Sequence, residues 1–252
     1  MPHPLRQFRK APGFSLTVIA TLGLTVALAT TVFSVLDAVF LRPMPYHQPD
    51  RIFSLRTISP QGYTQPASYP ELLDWRREAA PSSNVAAYSG VLADVNVELN
   101  GAAVSLHSVS TTDNFFDAFG VRPLLGRTFE RGEEDSGRGF VAVLSNEVWH
   151  DLFGARPDAI GAKIKVDGHP YIVIGVMPEG FRFPINRTGA IYFPLEMTPN
   201  QREARGNHWL WTMARLNAGV SREQAQSRLD QVFAHLGEVY PESKGRKARL
   251  ID

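Results

Sequence analysis

The strongest constraint in the sequence is a run from Ala11 to Leu36 that contains no charged residue. Apolar character continues past Asp37 to Leu41. As a helix rising 1.5 Å per residue, Phe14 to Leu41 would reach roughly 42 Å, against a hydrocarbon core about 30 Å thick. The segment is therefore long enough to span a bilayer with a turn or two to spare. Arg6, Arg9 and Lys10 precede it, while Asp37, Arg42, Asp50 and Arg51 mix both signs on the far flank. Because positive charge stays on the cytoplasmic side, residues 1–13 are expected in the cytoplasm, 14–41 in the membrane, and everything after Arg42 outside it.

A cleaved signal peptide is the competing reading, since Ala27-Leu28-Ala29 fits a small-x-small cleavage pattern. Val32, Phe33, Val35, Leu36, Val39, Phe40 and Leu41 continue the apolar run beyond that point, where a cleaved signal would turn polar, so a retained helix is favoured. Ala20, Gly23, Ala27 and Thr31 recur three or four apart. Such a stripe lets a second helix approach closely, and it equally fits the ordinary richness of membrane helices in small residues.

At 252 residues, 44% apolar and 20% charged, the remainder is large enough to bury a core of its own. A formal net charge of +1 gives no basic footprint for nucleic acid. The chain has no cysteine, which removes disulfides, thiolate metal sites and cysteine nucleophiles together. A periplasmic location stays open, because a domain of this size does not need disulfides.

Arg42-Pro43-Met44-Pro45 should end the apolar helix, since neither proline can continue it. Ile52, Phe53 and Leu55 read as a strand. Ser68, Pro70 and Glu71 supply a cap, an early proline and a capping-box carboxylate for a short helix ending near Glu78. Asn100-Gly101 and Asp167-Gly168 each sit between alternating runs and predict type I′ hairpins. Gly120 and Gly154 end two short helices that start near Asp113 and Ser145, with Val141 to Leu144 as a buried strand. His208 to Leu216 reads as a strand. Ser221 and Gln224 cap a helix with Ala225, Leu229, Val232, Phe233 and Leu236 on one face. The terminal stretch Lys244 to Arg249 is basic and is given no element. Strands and helices mix without regular βαβ alternation, so the fold class is α+β. Gly168→Val is expected to cost about 1–3 kcal/mol of backbone strain. Gly62→Val, in a Pro/Gln-rich loop, is expected to stay within about 0.5 kcal/mol.

Catalytic, metal-binding and cofactor-binding residues are assigned to none of these positions. His3, His47, His107, His150, His169, His208 and His235 show no i, i+4 zinc spacing. His150 reads as a solvated residue of its helix. Glu130, Glu133, Glu134 and Asp135 form the dense acidic cluster, but without calcium-loop spacing they read as a solvated loop. No G-x-x-x-x-G-K-[ST], strand-to-helix G-x-G-x-x-G or G-x-S-x-G occurs. The chain is therefore not read as an enzyme, and no Walker loop is present to bind ATP.

Several blocks resemble the MacB-like periplasmic core domain of MacB/FtsX-type ABC transporter permeases, particularly the acidobacterial duplicated orphan permease group. They are FRKAPGFSLTVIATLGL and TVFSVLDAVFLRPMPY at the start, then NFFDAFGVRPLLGRTF from Asn114 to Phe129. The densest is VAVLSNEVWHDLFGARPDAIGAKIKVDGHPYIVIGVMPEGFRFP, Val141 to Pro184, and ARLNAGVSREQAQSRLDQVF, Ala214 to Phe233, closes the series. The resemblance implies a bacterial inner-membrane permease subunit whose outer domain has two parts. A Porter-like part would comprise 43–112 and 205–252, and an inserted Sabre-like part 113–204. It implies mechanotransmission, in which an ABC ATPase, separate or fused, moves membrane helices and these rearrange the outer domain during export. The implied partners are that ATPase, other permease helices or a second permease half, and the lipid bilayer. Family members carry at least three further membrane helices after the outer domain. The chain carries none of these and no ATPase domain, so it is read as a fragment of a permease. The alternative is a single-pass anchor presenting a periplasmic binding or adaptor module without transport of its own.

Overall fold

The structure, a computed structural model, describes residues 12–36, 46–89, 93–135, 137–183 and 189–251. The chain divides into two compact units, Met1–Met44 and Pro45–Asp252. In the first, α1 runs Pro12–Leu36, about 37 Å at the standard rise. The stretch from Asp37 to Leu41 and the prolines at 43 and 45 lie outside the described residues. Four threonines of α1 turn their hydroxyls onto its own backbone. Hydroxyls of Thr17, Thr21, Thr25 and Thr31 donate to the carbonyl four residues earlier, at 2.8–3.0 Å. That satisfies each donor without water, as a helix in lipid requires. Leu16–Phe33 is long and apolar enough to cross a membrane.

The second unit is a mixed sheet whose strands form a closed ring and an open wing. In chain order the strands are β1 (Ile52–Ile58), β2 (Thr64–Gln65), β3 (Ser83–Ser89), β4 (Ala93–Leu99), β5 (Ala102–Thr111) and β6 (Leu125–Gly126). Then follow β7 (Val141–Leu144), β8 (Lys163–Val166), β9 (His169–Val176), β10 (Ala190–Pro194), β11 (Leu210–Leu216) and β12 (Lys247–Ile251). Around the ring, β10 pairs β7, β7 pairs β9, β9 pairs β8, β8 pairs β4, and β4 pairs β5. A parallel pairing of β10 with β5, Ala190↔His107 through Pro194↔Thr111, closes the circuit. The wing continues from β5 through β3, β11 and β1 to β12. Between β5 and β3 the register is carried by Tyr88↔Thr111.

Both predicted hairpins form. Asn100 and Gly101 sit at φ 52° and 83°, Asp167 and Gly168 at 47° and 85°, the two positive values a type I′ turn needs. Gly62 departs from expectation. It stands at φ +88°, inside a turn closed by Gly62 N–H donating to Ser59 O at 2.9 Å, so it is a constrained position rather than free loop. The unassigned basic terminus is also corrected. Lys247–Ile251 is a strand paired to β1, with Ala248 and Leu250 buried and the basic residues exposed. Its alternation is genuine but short.

The helices are α2 (Tyr69–Glu78), α3 (Phe115–Phe119), α4 (Asn146–Phe153), α5 (Pro199–Glu203) and α6 (Arg222–Val239). The capping boxes at Ser68/Glu71 and Ser221/Gln224 are both made. Gly120 and Gly154 take left-handed conformations that stop α3 and α4. Three apolar clusters follow from the layers. Inside the ring lie Val97, Ala142, Leu144, Ile164, Val166, Val173, Val176, Ile191 and Phe193, joined by Val148, Trp149 and Phe153 of α4. On one face of the wing, Phe53, Leu55, Val85, Leu210 and Ala214 meet Leu72 and Trp75 of α2 and the predicted face of α6. Between ring and wing, α3 is a wedge. Phe115, Phe116 and Phe119 pack with Ala86 and Met213 of the wing and with Val109, Val143 and Tyr192 of the ring.

Candidate functional site

Where ring, wing and helices meet, charged side chains converge out of water. The side of α2 that faces the 112–114 turn carries Tyr69 and Arg76. Arg76 Nε donates to Val85 O at 3.1 Å, and a second guanidinium nitrogen donates to Asn114 Oδ1. Its remaining reach is spent on two carboxylates, Asp113 at 3.5 Å and Glu134 at 3.8 Å. Glu134 is only 6% exposed. It accepts the Asp113 backbone N–H at 2.6 Å and the Tyr69 hydroxyl at 3.4 Å. From α5, Arg202 donates to the Glu134 carbonyl at 3.0 Å while lying over the Tyr69 ring.

Removal from water pushes the Glu134 carboxyl up to about 7, Arg76 and the Asp113 amide opposing and the Asp113 carboxylate reinforcing the rise. This corrects the expectation of a solvated acidic loop. Glu133 does behave locally, bridging to Arg127 at 2.7 Å, but Glu134 is held by residues up to 68 positions distant. No window of sequence around Glu134 carries that information.

A second buried carboxylate, Glu71, stands on α2 itself. Glu71 closes the capping box of α2, and it also receives Arg246 at 3.1 Å and His208 at 3.3 Å. Burial works to raise its carboxyl, and His208, the Ser68 amide and Arg246 outweigh that and hold it below the ordinary glutamate range. His208 is therefore a structural partner of this carboxylate. His150, as expected, is exposed on α4. His107 faces Asp94 across the β4–β5 hairpin.

Beside the first cluster a polar cleft of about 480 Å³ is lined by Arg76, Ser83, Asn84, Asp113, Asn114 and Arg131, among others. Its floor is knitted by Asn114, which donates to Asn84 Oδ1 at 2.7 Å and to Val85 O at 3.0 Å. Among the described residues no group of three or more His, Asp or Glu is arranged to hold a metal ion. Nothing here aligns a nucleophile with a base. These groups fasten chain segments to one another.

This architecture is that of the extracytoplasmic domains of ABC transporter permeases. The extracellular domain of YknZ from Gram-positive bacteria superposes with a TM-score of 0.55 at 14% identity, covering 79% of this chain and 99% of that one. A domain of a Porphyromonas gingivalis permease gives 0.63 at 14% identity over 82% and 93%. The periplasmic region of MacB from Actinobacillus actinomycetemcomitans gives 0.57 at 12% identity over 79% and 88%. At the sequence level, the model of the MacB-like periplasmic core domain matches residues 15–232, and the chain belongs to that family. The macrolide export ATP-binding/permease protein MacB of Escherichia coli K12 is 24% identical over 174 residues, as is that of Shigella flexneri. The match covers 68% of this chain and 26% of either relative, so the chain spans about a quarter of their length.

Proposed function

We propose that this chain is the first membrane helix and the outer domain of an ABC transporter permease subunit, and that it acts by mechanotransmission. An ABC ATPase on the cytoplasmic side would move membrane helices, and the outer domain would rearrange in response to drive export. The observation that carries this reading is the extent of the family match, which runs from within α1 to within α6 and so includes both units. In this reading the helix anchors the chain in the bacterial inner membrane with residues 1–13 cytoplasmic. The Porter-like part would be 43–112 with 205–252, contributing the wing with α2 and α6. The Sabre-like part would be 113–204. The β4–β5 hairpin is then the seam, since it pairs with β8 and β10 of the second part.

Orientation is the part most directly tested. Alkaline phosphatase fused after Asp252 is expected to be active, and a reporter that matures only in the cytoplasm is expected to stay dark. The reverse pattern would overturn the assignment. The purified chain is expected to bind no ATP by calorimetry, because it holds no Walker loop.

A further inference from the structure

The acidic loop between β6 and β7 is held at one buried point. Glu134 is fastened from three directions that are distant in sequence. From α2 come the Tyr69 hydroxyl and the Arg76 guanidinium, from the turn before α3 the Asp113 amide and carboxylate, and from α5 Arg202. Its neighbours in the loop have partners of their own, Glu133 with Arg127 and Asp135 with Arg202. Two carboxylates, Glu134 and Asp113, thus share the single guanidinium of Arg76. With a proton on Glu134, donated to the neighbouring Asp113 carboxylate, the count is one anion to one cation and the cluster is matched. Without it, a second negative charge must be kept nearly dry beside Asp113, which buried environments resist.

We propose that Glu134 is a protonation-sensitive latch, fastening the 130–135 loop to α2 and α5 when protonated and loosening it when ionised. The inference stands on the geometry of this cluster and is independent of the transporter assignment. The direction of its pH dependence follows from the two states of the chain. Unfolded, the carboxyl titrates near 4.5, and folded, near 7. The stabilisation is full below the unfolded value and is lost as pH rises through the folded one. Glu71 runs the other way, its contribution being lost on acidification, so the two can be told apart by sign.

The test is amide hydrogen exchange on the full chain in detergent micelles at pH 5.5 and 8.5, with intrinsic rates divided out. Protection of residues 130–135 in the parent is expected to fall about tenfold or more between the two conditions. Glu134→Gln, which keeps the shape and removes the titration, is expected to hold the low-pH protection at both. Unchanged protection in the parent, or an equal fall in the variant, would overturn the latch. Should the variant not fold, carbon NMR of side-chain-labelled glutamate in the parent decides the matter. One carboxyl titrating near 7 supports the latch, and all titrating below about 6 refutes it.

Discussion

The closed ring and the open wing use similar short strands but stabilise them by different means. The ring fills its centre from its own walls, with Leu144, Ile164, Val173, Ile191 and Phe193 meeting across it, and needs only the eight residues of α4 beside them. It is tightened by close backbone approach. Gly126 and Gly175 face each other between β6 and β9, and a Cβ at either would come within 2.1 Å of a carbonyl oxygen. The wing relies on two helices laid over one face, with α3 wedged against part of the other. One of the two, α2, is also fastened through buried carboxylates, Glu71 to Arg246 and His208, and Asp74 to Arg205 at 2.7 Å. We expect the ring, closed on itself, to be the stiffer body, and the wing, which adds ion pairs between segments to its apolar layer, to open first.

The comparison breaks if the two halves prove equally stiff. The largest expected effect is in the wing. Trp75 has no exposed surface and stacks on Phe233 at 5.1 Å, so Trp75→Ala should cost about 3–5 kcal/mol. Gly175→Ala, in the ring, should cost about 1–3 kcal/mol or somewhat more, because the obstructing atom is backbone and cannot swing aside. Urea unfolding followed by hydrogen exchange separates the outcomes. Trp75→Ala is expected to lower protection in β1, β11 and β12 while β7 to β10 stay protected, whereas Gly175→Ala should loosen β6, β7 and β9 first. Uniform loss in both variants would show one undivided cooperative unit.

Local devices were legible in the sequence, and closure was not. Capping boxes, Asn-Gly and Asp-Gly turns and glycine helix stops act within a few residues, so Ser68, Gly101, Gly154 and Ser221 announce themselves. So did the buried face of α6. β10 did not, because all five of its residues are buried and continuous burial erases the period of two that marks a strand. β3 has only Val85 and Tyr88 as strong strand formers among Ser, Asn and Ala, and is fixed by pairing with β11 along its whole length. The ring exists through the β5–β10 pairing of residues more than eighty positions apart, which no local pattern encodes. For the same reason the polar cluster at Glu134 was read as open loop. Its membership is decided by Tyr69 and Arg76 of α2, Asp113 of the turn before α3 and Arg202 of α5, which are far apart in sequence.

A middle-sized effect tests the turns. Gly168 and Gly62 both lie at positive φ with open space around an added Cβ, so strain alone would treat a valine alike at the two sites. Their surroundings differ. The Asp167-Gly168 turn is pinned to β4, Asp167 N–H donating to Asn96 O and Asn96 N–H donating to Asp167 Oδ1, both at 2.9 Å. The Gly62 turn leads into β2, a strand of two residues, which can fray and relieve strain. Gly168→Val should therefore cost about 1–3 kcal/mol and Gly62→Val about 1 kcal/mol. Equal urea midpoints for both variants and the parent would refute the hairpin's role in holding β8 to β4.

The smallest expected effect lies at the open edge that distinguishes the wing from the ring. A ring has no edge, but β12 would present unpaired backbone groups on its outer side. The side chain of Gln226, reaching across from α6, stands in for a missing strand. It accepts the Leu250 N–H at 3.0 Å and donates to the Ala248 carbonyl at 2.9 Å, and Arg222 donates to the Leu250 carbonyl at 2.8 Å. Gln226 thus satisfies one donor and one acceptor of the same strand, two residues apart, as a paired backbone would. Gln226→Ala removes both bonds, but this edge borders a groove open to solvent, so water can take their place. The expected cost is about 1 kcal/mol, the net worth of hydrogen bonds exchanged for water. Exchange of the Leu250 amide should rise well beyond that of Leu55 on β1, which lies inside the sheet. If Leu250 stays as protected in the variant as in the parent, Gln226 is not what closes the wing's edge, and β12 holds its place through β1 alone.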